Sequence, residues 1–331
     1  MIKKNYLFFS IILFLFSCKT TSIEKDAINF SNSDKKNLSK NFCIIQKSKD
    51  INSINFSWND LTSYAKIATL YFENEKSICH LLKIDLHHDS IIITSPNDIT
   101  SSQRAQNFSK ENNCDIVINT TPFTQKIKYL SKKNILGIYQ INDTIISKPN
   151  QKYCALEFYT EELSQKNPTI AQNSSFITNT ITKNNSQSIP CKILFAKIHQ
   201  FQLDSSINNQ IIPPSNKKTL YIHGGFWQIL KNGNIIQFKD IKDSRTAVGI
   251  SKDERFFYIL IVEGEKKSKS IGLSYEECAL ILKSIGAFNA MEFDGGSSTC
   301  LIINHKNYLT YNKNPNLPLF LGFKLYSNEK E

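Results

Sequence analysis

The stretch NAMEFDGGSSTCLII, residues 289–303, gathers groups that could do chemistry between two apolar runs. Asp294 is followed by Gly295, Gly296, Ser297, Ser298 and Thr299. Glycines placed there leave backbone N–H groups open to an anion, and the hydroxyls add donors for phosphate or sugar oxygens. A carboxylate beside such donors is a candidate acid, base or nucleophile. The same residues would equally make a structural turn in which Asp294 accepts backbone hydrogen bonds. Glu292, two residues earlier, shares a face with Asp294 if the strand persists, and could pair with it.

Three other stretches carry candidate groups. YIHGGFW sets His223, Gly224 and Gly225 among aromatics, which suits a ligand wall or a packed core. DSRTAVG places Arg245 at the start of a strand. Arginine occurs only at positions 104, 245 and 255 among 40 basic residues, so its planar two-pronged donor set suggests phosphate or carboxylate. A surface ion pair with Asp243 or Asp253 is the plainer explanation. VINTTPF ends a buried run at Asn119, followed by two hydroxyls, which also suits a capped turn.

The elements that must position these groups follow from pattern. Ten of the 11 glycines lie between Gly224 and Gly322, so backbone-driven chemistry belongs to the C-terminal half. ICHLLKIDLHH and SIIITSP read as paired strands, SSQRAQNFSKENN as a helix, and CDIVIN as a short buried strand ending at Asn119. ILGIYQINDTIISKP reads as a hairpin turning at Asn142-Asp143, and residues 161–190 as a long polar insertion. RTAVGI and RFFYILIVEG frame a tight connection and predict a second hairpin. LSYEECALILKSIGA is the best helix. Ser274 and Glu277 form a capping box, Cys278, Ile281, Leu282 and Ile285 share one face, and Gly286 stands at C′. The fold class expected is α+β, mostly antiparallel sheet with a few packed helices.

The chain of 331 residues is 40% hydrophobic and 21% charged, as a packed soluble domain requires. Its net charge of +11 comes almost wholly from lysine, without the interleaved aromatics of a strand-binding groove, which argues against nucleic acid. MIKKNYLFFSIILFLFSCKTTS has two lysines, an apolar run too short to span a bilayer comfortably, and Leu15-Phe16-Ser17-Cys18, which resembles a bacterial lipobox. Residues 1–17 are thus expected to be a signal peptide, Cys18 the lipidated residue, 18–50 a polar tether and 51–331 the domain. That implies export to the cell envelope with a lipid anchor. Seven further cysteines form no Cys-x-x-Cys pair, so no zinc site is expected and no particular disulfide is predicted. No cofactor is called for.

Taken in order, CDIVINTTPF, HGGFW, SRTAVGISKDERFFYILIVEG and IGLSYEECALILKSIGAFNAMEFDGGSST resemble the phosphodiester glycosidase family, over roughly Ile78 to Leu325. Two departures stand out. Asn119-Thr120-Thr121-Pro122-Phe123 replaces the family's usual Asn-Gly-Gly-Phe-Phe, and Glu292 stands where an amide or aromatic is more usual. The resemblance implies hydrolysis of a sugar joined through its anomeric carbon to a phosphodiester. Asp294 would be the principal carboxylate with Glu292 as an auxiliary, and Arg245 with the amides of Gly295 and Gly296 would hold the phosphate. Asn119, His223, Gly224, Gly225, Ser298 and Thr299 would contact substrate. The competing expectation is a non-catalytic surface lipoprotein that binds phosphorylated glycans or a host component.

Overall fold

From Ala247 to Ile250 and from Phe257 to Val262 the chain is apolar with glycine or tyrosine at single positions, not alternating as a half-exposed strand would. The computed structural model, which describes residues 43–45, 56–125, 133–162, 192–200 and 217–326, shows the reason. Both segments lie inside a nine-stranded sheet covered on both faces. Its main order is Cys43–Ile45, Ala65–Phe72, Ser77–Asp85, Phe256–Val262, Arg245–Ile250, Asn289–Glu292, Gln228–Lys231 and Asn234–Ile235, with Asn59–Thr62 paired onto Ala65–Phe72. One face presents Val248, Ile250, Phe257, Ile259, Ile261 and Met291 to the residues of two five-stranded sheets. The other presents Ala247, Tyr258, Leu260, Val262 and Ala290 to the Tyr275–Ser284 helix.

The two smaller sheets supply the opposite wall. One runs Thr144–Ser147, Tyr139–Ile141, Lys217–Gly224, Cys154–Glu162, Lys192–Gln200; the other runs Lys306–Asn307, Leu301–Ile303, Ile116–Asn119, Phe320–Leu325, Ile91–Thr94. Among the described residues there are only two α-helices, Ala105–Glu111 and Tyr275–Ser284, so the expected sheet-dominated fold with few helices is mostly β. The expected hairpin of Arg245–Ile250 with Phe256–Val262 forms, with Arg245 opposite Val262. So does the turn at Asn142, whose φ is +49°.

Two expectations are corrected. Ser77–Asp85 and Ile91–Thr94 are not partners: the first pairs with Ala65–Phe72 and Phe256–Val262, the second with Phe320–Leu325 from the far end of the chain. Cys43–Ile45, placed in the tether by its polar surroundings, pairs in parallel with Leu70–Phe72, and Ile45 is buried. The signal peptide, Cys18 and nearly all of the 161–190 insertion lie outside the described residues.

The Tyr275–Ser284 helix is capped as its sequence requires. The Ser274 hydroxyl accepts from the Glu277 N–H, and the Glu277 carboxylate accepts from the Ser274 N–H at 2.8 Å. Gly286 follows with φ +108°. Ser274→Ala should lose about 1 kcal/mol of stability, read by urea denaturation. A loss under about 0.3 kcal/mol would mean that packing of Cys278, Ile281 and Leu282 fixes this end of the helix unaided.

Candidate active site

The Asn289–Glu292 strand ends one residue before Phe293, and that break decides where the two carboxylates go. Glu292 stays on the sheet. It lies opposite Ala247 and on the face of Ala290, both of which pack toward the helix, and it is hydrogen-bonded with Cys278 of that helix. Phe293 then donates to the Thr246 carbonyl at 2.8 Å, and Asp294 crosses to the smaller sheets, its N–H meeting the Thr120 carbonyl at 2.9 Å. The expected Glu292–Asp294 pair is therefore not formed: the two side chains answer to different neighbours.

Their chemistry differs accordingly. Burial pushes the Asp294 carboxyl up to about 6, against the pull of the Ser298 hydroxyl, the Gly295 N–H and the more distant Lys313 ammonium. Asp294 lines a narrow cleft with Asn119, Thr120, Thr121, Phe123 and the Leu317–Leu319 segment, too tight as it stands to hold a water molecule. Glu292 is 1% exposed, and burial raises its carboxyl to about 8 although Arg245 and Cys278 favour the charge. Its Oε1 finds no hydrogen-bond partner among the described residues. Asp294 is thus the partly exposed carboxyl poised to change charge near neutrality.

Asn119 builds that cleft. Its Nδ2 donates to the Asp294 carbonyl at 2.6 Å, and its Oδ1 accepts from the Thr246 hydroxyl at 2.8 Å and the Cys300 N–H at 3.1 Å. One buried amide thereby joins the large sheet, the Asp294 turn and the strand wall. The side chain expected to touch substrate is committed to the protein at these three points. The hydroxyls of Thr120 and Thr121, which stand in place of the family's glycines, are buried without partners, as is that of Thr299. Buried polar atoms left unpaired are rare in a folded chain, and those of Thr120 and Thr121, which line the cleft, point to a ligand-facing wall.

The glycines do not form the expected anion nest. The Gly295 N–H serves the Asp294 carboxylate and the Gly296 N–H donates to the Ser244 carbonyl at 3.0 Å. Ser298 and Thr299 direct their N–H groups to Gly295 and Gly296 within the Gly296–Ser298 turn of 3-10 helix. The Gly224 and Gly225 amides are likewise taken, by the Ile138 and Cys154 carbonyls. A Cβ at Gly225 would collide with the Glu292 carbonyl oxygen, so this glycine serves close packing against the Asn289–Glu292 strand. His223 is fully buried among the rings of Tyr139, Tyr221 and Phe293, lines neither this cleft nor the pocket described below, and is pushed down to about 3 by burial. It is a neutral core imidazole.

Arg245 is also turned inward. It is 8% exposed, its Nε donates to the Leu273 carbonyl at 3.2 Å and Nη2 to that of Ile241 at 2.6 Å, and the guanidinium lies 4.1 Å from the centre of the Tyr275 ring. It forms no ion pair with Asp243 or Asp253 and does not line the Asp294 cleft. Arg245→Lys should lose about 1.5–3 kcal/mol in urea denaturation, because one ammonium cannot replace a fork holding two carbonyls. A change below about 0.5 kcal/mol would show that the fork holds nothing in place.

The cation missed in the sequence is Lys313. Its side chain is 8% exposed, its ammonium lies 2.5 Å from the Glu265 carboxylate and 3.3 Å from the Gly296 carbonyl, and it bears on Asp294. It belongs to TYNKNPN, a polar stretch without periodicity, and only the fold brings it to the Asp-Gly-Gly turn.

Residues 112–321 match the phosphodiester glycosidase family. The chain belongs to that family. Asn119, Arg245, Asp294 and Lys313 all fall inside the matched span. Among solved structures, the phosphodiester glycosidase fold recurs in the catalytic domain of zebrafish N-acetylglucosamine-1-phosphodiester α-N-acetylglucosaminidase, described as auto-inhibited by its pro-peptide. The identity is 14%, the TM-score 0.50, and the likeness covers 81% of this chain and 88% of that one. A hypothetical protein from Synechocystis is 12% identical with a TM-score of 0.50, over 82% of this chain and 64% of its own. At these identities the likeness is one of fold. Among curated proteins no sequence matches.

Proposed function

We propose that this phosphodiester glycosidase is an exported, lipid-anchored hydrolase that cleaves a sugar-1-phosphodiester bond in glycans or wall polymers. The observation that carries the reading is the lone carboxyl in the cleft. Ordinary glycosides leave as alkoxides and need a second carboxyl to protonate them. Here Glu292 is buried and faces the helix, and Asp294 is the one carboxyl that lines the cleft and is partly exposed. A phosphate ester is already a weak base and departs without a protein acid, so one carboxylate suffices. As a base or nucleophile, Asp294 serves water or the anomeric carbon once ionised, and its value of about 6 leaves it largely charged at neutral pH. The anchor rests on the order of lysines, apolar run and Leu-Phe-Ser-Cys at the N-terminus.

A binding protein of the same fold is the second reading, favoured by Thr120 and Thr121, whose side chains narrow the cleft where glycines would leave it open. The two readings separate in one assay. The full chain is incubated with a panel of α-glycosyl-1-phosphate diesters and free sugar is measured. Release from at least one diester supports the hydrolase. Saturable binding without release from any of them overturns it in favour of the binder.

A further inference from the structure

Ser297, three residues after Asp294, lines an open pocket of about 430 Å³ together with Glu265, Lys266, Tyr311 and the segment 312–315. One short segment thus lines both places, with Asp294 at the cleft and Ser297, in the Gly296–Ser298 turn, at this pocket. Two ammonium groups flank the Tyr311 ring, Lys266 at 5.6 Å and Lys313 at 5.8 Å from its centre. The Tyr311 ring is 6% exposed, and its hydroxyl is buried without a hydrogen-bond partner among the described residues. Lys313 is held in place from behind by the Gly296 carbonyl and from the side by Glu265, which is itself 42% exposed. Two cations, one carboxylate that can be displaced toward water, an unpaired phenol and a serine hydroxyl together suit a tetrahedral oxyanion.

We propose that this pocket is the subsite for the phosphate, with Lys313, Lys266, Tyr311 and Ser297 as its donors and Glu265 as the internal anion that the phosphate displaces. The inference rests on the sugar-phosphodiester reading and supplies what that reading lacks, since the fork of Arg245 and the amides of Gly295 and Gly296 are turned to protein carbonyls and to Asp294. With the anomeric carbon at Asp294, the phosphate bonded to it would lie beside the Gly296–Ser298 turn, whose Gly296 carbonyl accepts from Lys313.

The test uses the full chain and inorganic phosphate, with binding read as the phosphate-dependent rise in Tm at fixed ionic strength and N-acetylglucosamine as the neutral control. Lys266→Gln should weaken apparent phosphate binding about three- to tenfold, and Tyr311→Phe by a similar factor. Glu265→Gln should tighten it by about the same amount, because a competing anion is gone. Tyr311→Phe removes a hydroxyl that bonds nothing among the described residues, so its Tm without phosphate should not fall. That opposite-sign pattern supports the subsite even if no diester is turned over, in which case the hydrolase reading fails alone. Diester hydrolysis with phosphate binding unchanged in all three variants overturns the subsite and leaves the hydrolase reading standing. Equal stabilisation by the neutral sugar also overturns it.

Discussion

Replacing Asp294 with asparagine is expected to lower kcat/KM on a glycosyl phosphodiester by at least ~100-fold, the scale of a positioned acid–base group. Asparagine keeps the acceptor oxygen that takes the Ser298 and Gly295 hydrogen bonds, so the turn should survive. Stability then separates a reacting carboxylate from a structural one. The folded carboxyl sits at about 6, above its ordinary 3.8, so folding favours the protonated form. That contribution is full below pH ~4 and is lost as pH rises through ~6. At pH 8 the charged wild-type side chain weighs against folding and the neutral asparagine does not. Asp294→Asn should therefore be as stable as the wild type at pH 8, or more so, while inactive. An active variant, or one several kcal/mol less stable, would assign Asp294 to holding the turn.

Glu292→Gln should have the largest effect on stability, and with a favourable sign. The Glu292 carboxyl is raised from 4.5 to about 8 by burial, with Arg245 only partly compensating. The sign follows as for Asp294: stability is full below pH ~4.5 and falls away as pH rises through ~8. The span sets an upper bound of about 5 kcal/mol at pH 9. Glutamine carries no charge at any pH. Urea denaturation should find the two proteins within about 1 kcal/mol at pH 5 and the variant more stable by about 2–4 kcal/mol at pH 9. A variant that is less stable at pH 9 would mean that Glu292 is ionised and serves Arg245 as a counter-ion. Turnover should change little, because the Glu292 side chain faces the helix and not the cleft.

Local signals in the sequence were read correctly where local physics decides. The capping box of Ser274 and Glu277, the positive-φ turn at Asn142 and the Arg245–Ile250 hairpin each depend on residues within a few positions of one another. The family was legible too, because motif order and spacing survive at low identity. What failed depends on distant partners. Whether Glu292 and Asp294 share a face turns on where Phe293 leaves the strand, and that is fixed by Thr246 and Thr120 far back in the chain. Arg245 read as a free fork because nothing near it in sequence reveals Leu273, brought alongside by the Asp243–Leu273 bridge. Ile91–Thr94 was paired with its neighbour in sequence, although its partner is the Phe320–Leu325 strand. Lys313 was lost among 40 basic residues, since only burial against Gly296 and Glu265 sets it apart.

The account stands most directly on the pH dependence of kcat/KM for a glycosyl phosphodiester, measured from pH 4.5 to 8. A single rising limb with its midpoint near 6 is predicted, tenfold per pH unit on the acid side, and absent from whatever activity Asp294→Asn retains. A profile flat across that range, or a limb that persists unchanged in the asparagine variant, would contradict Asp294 as the ionising catalytic group.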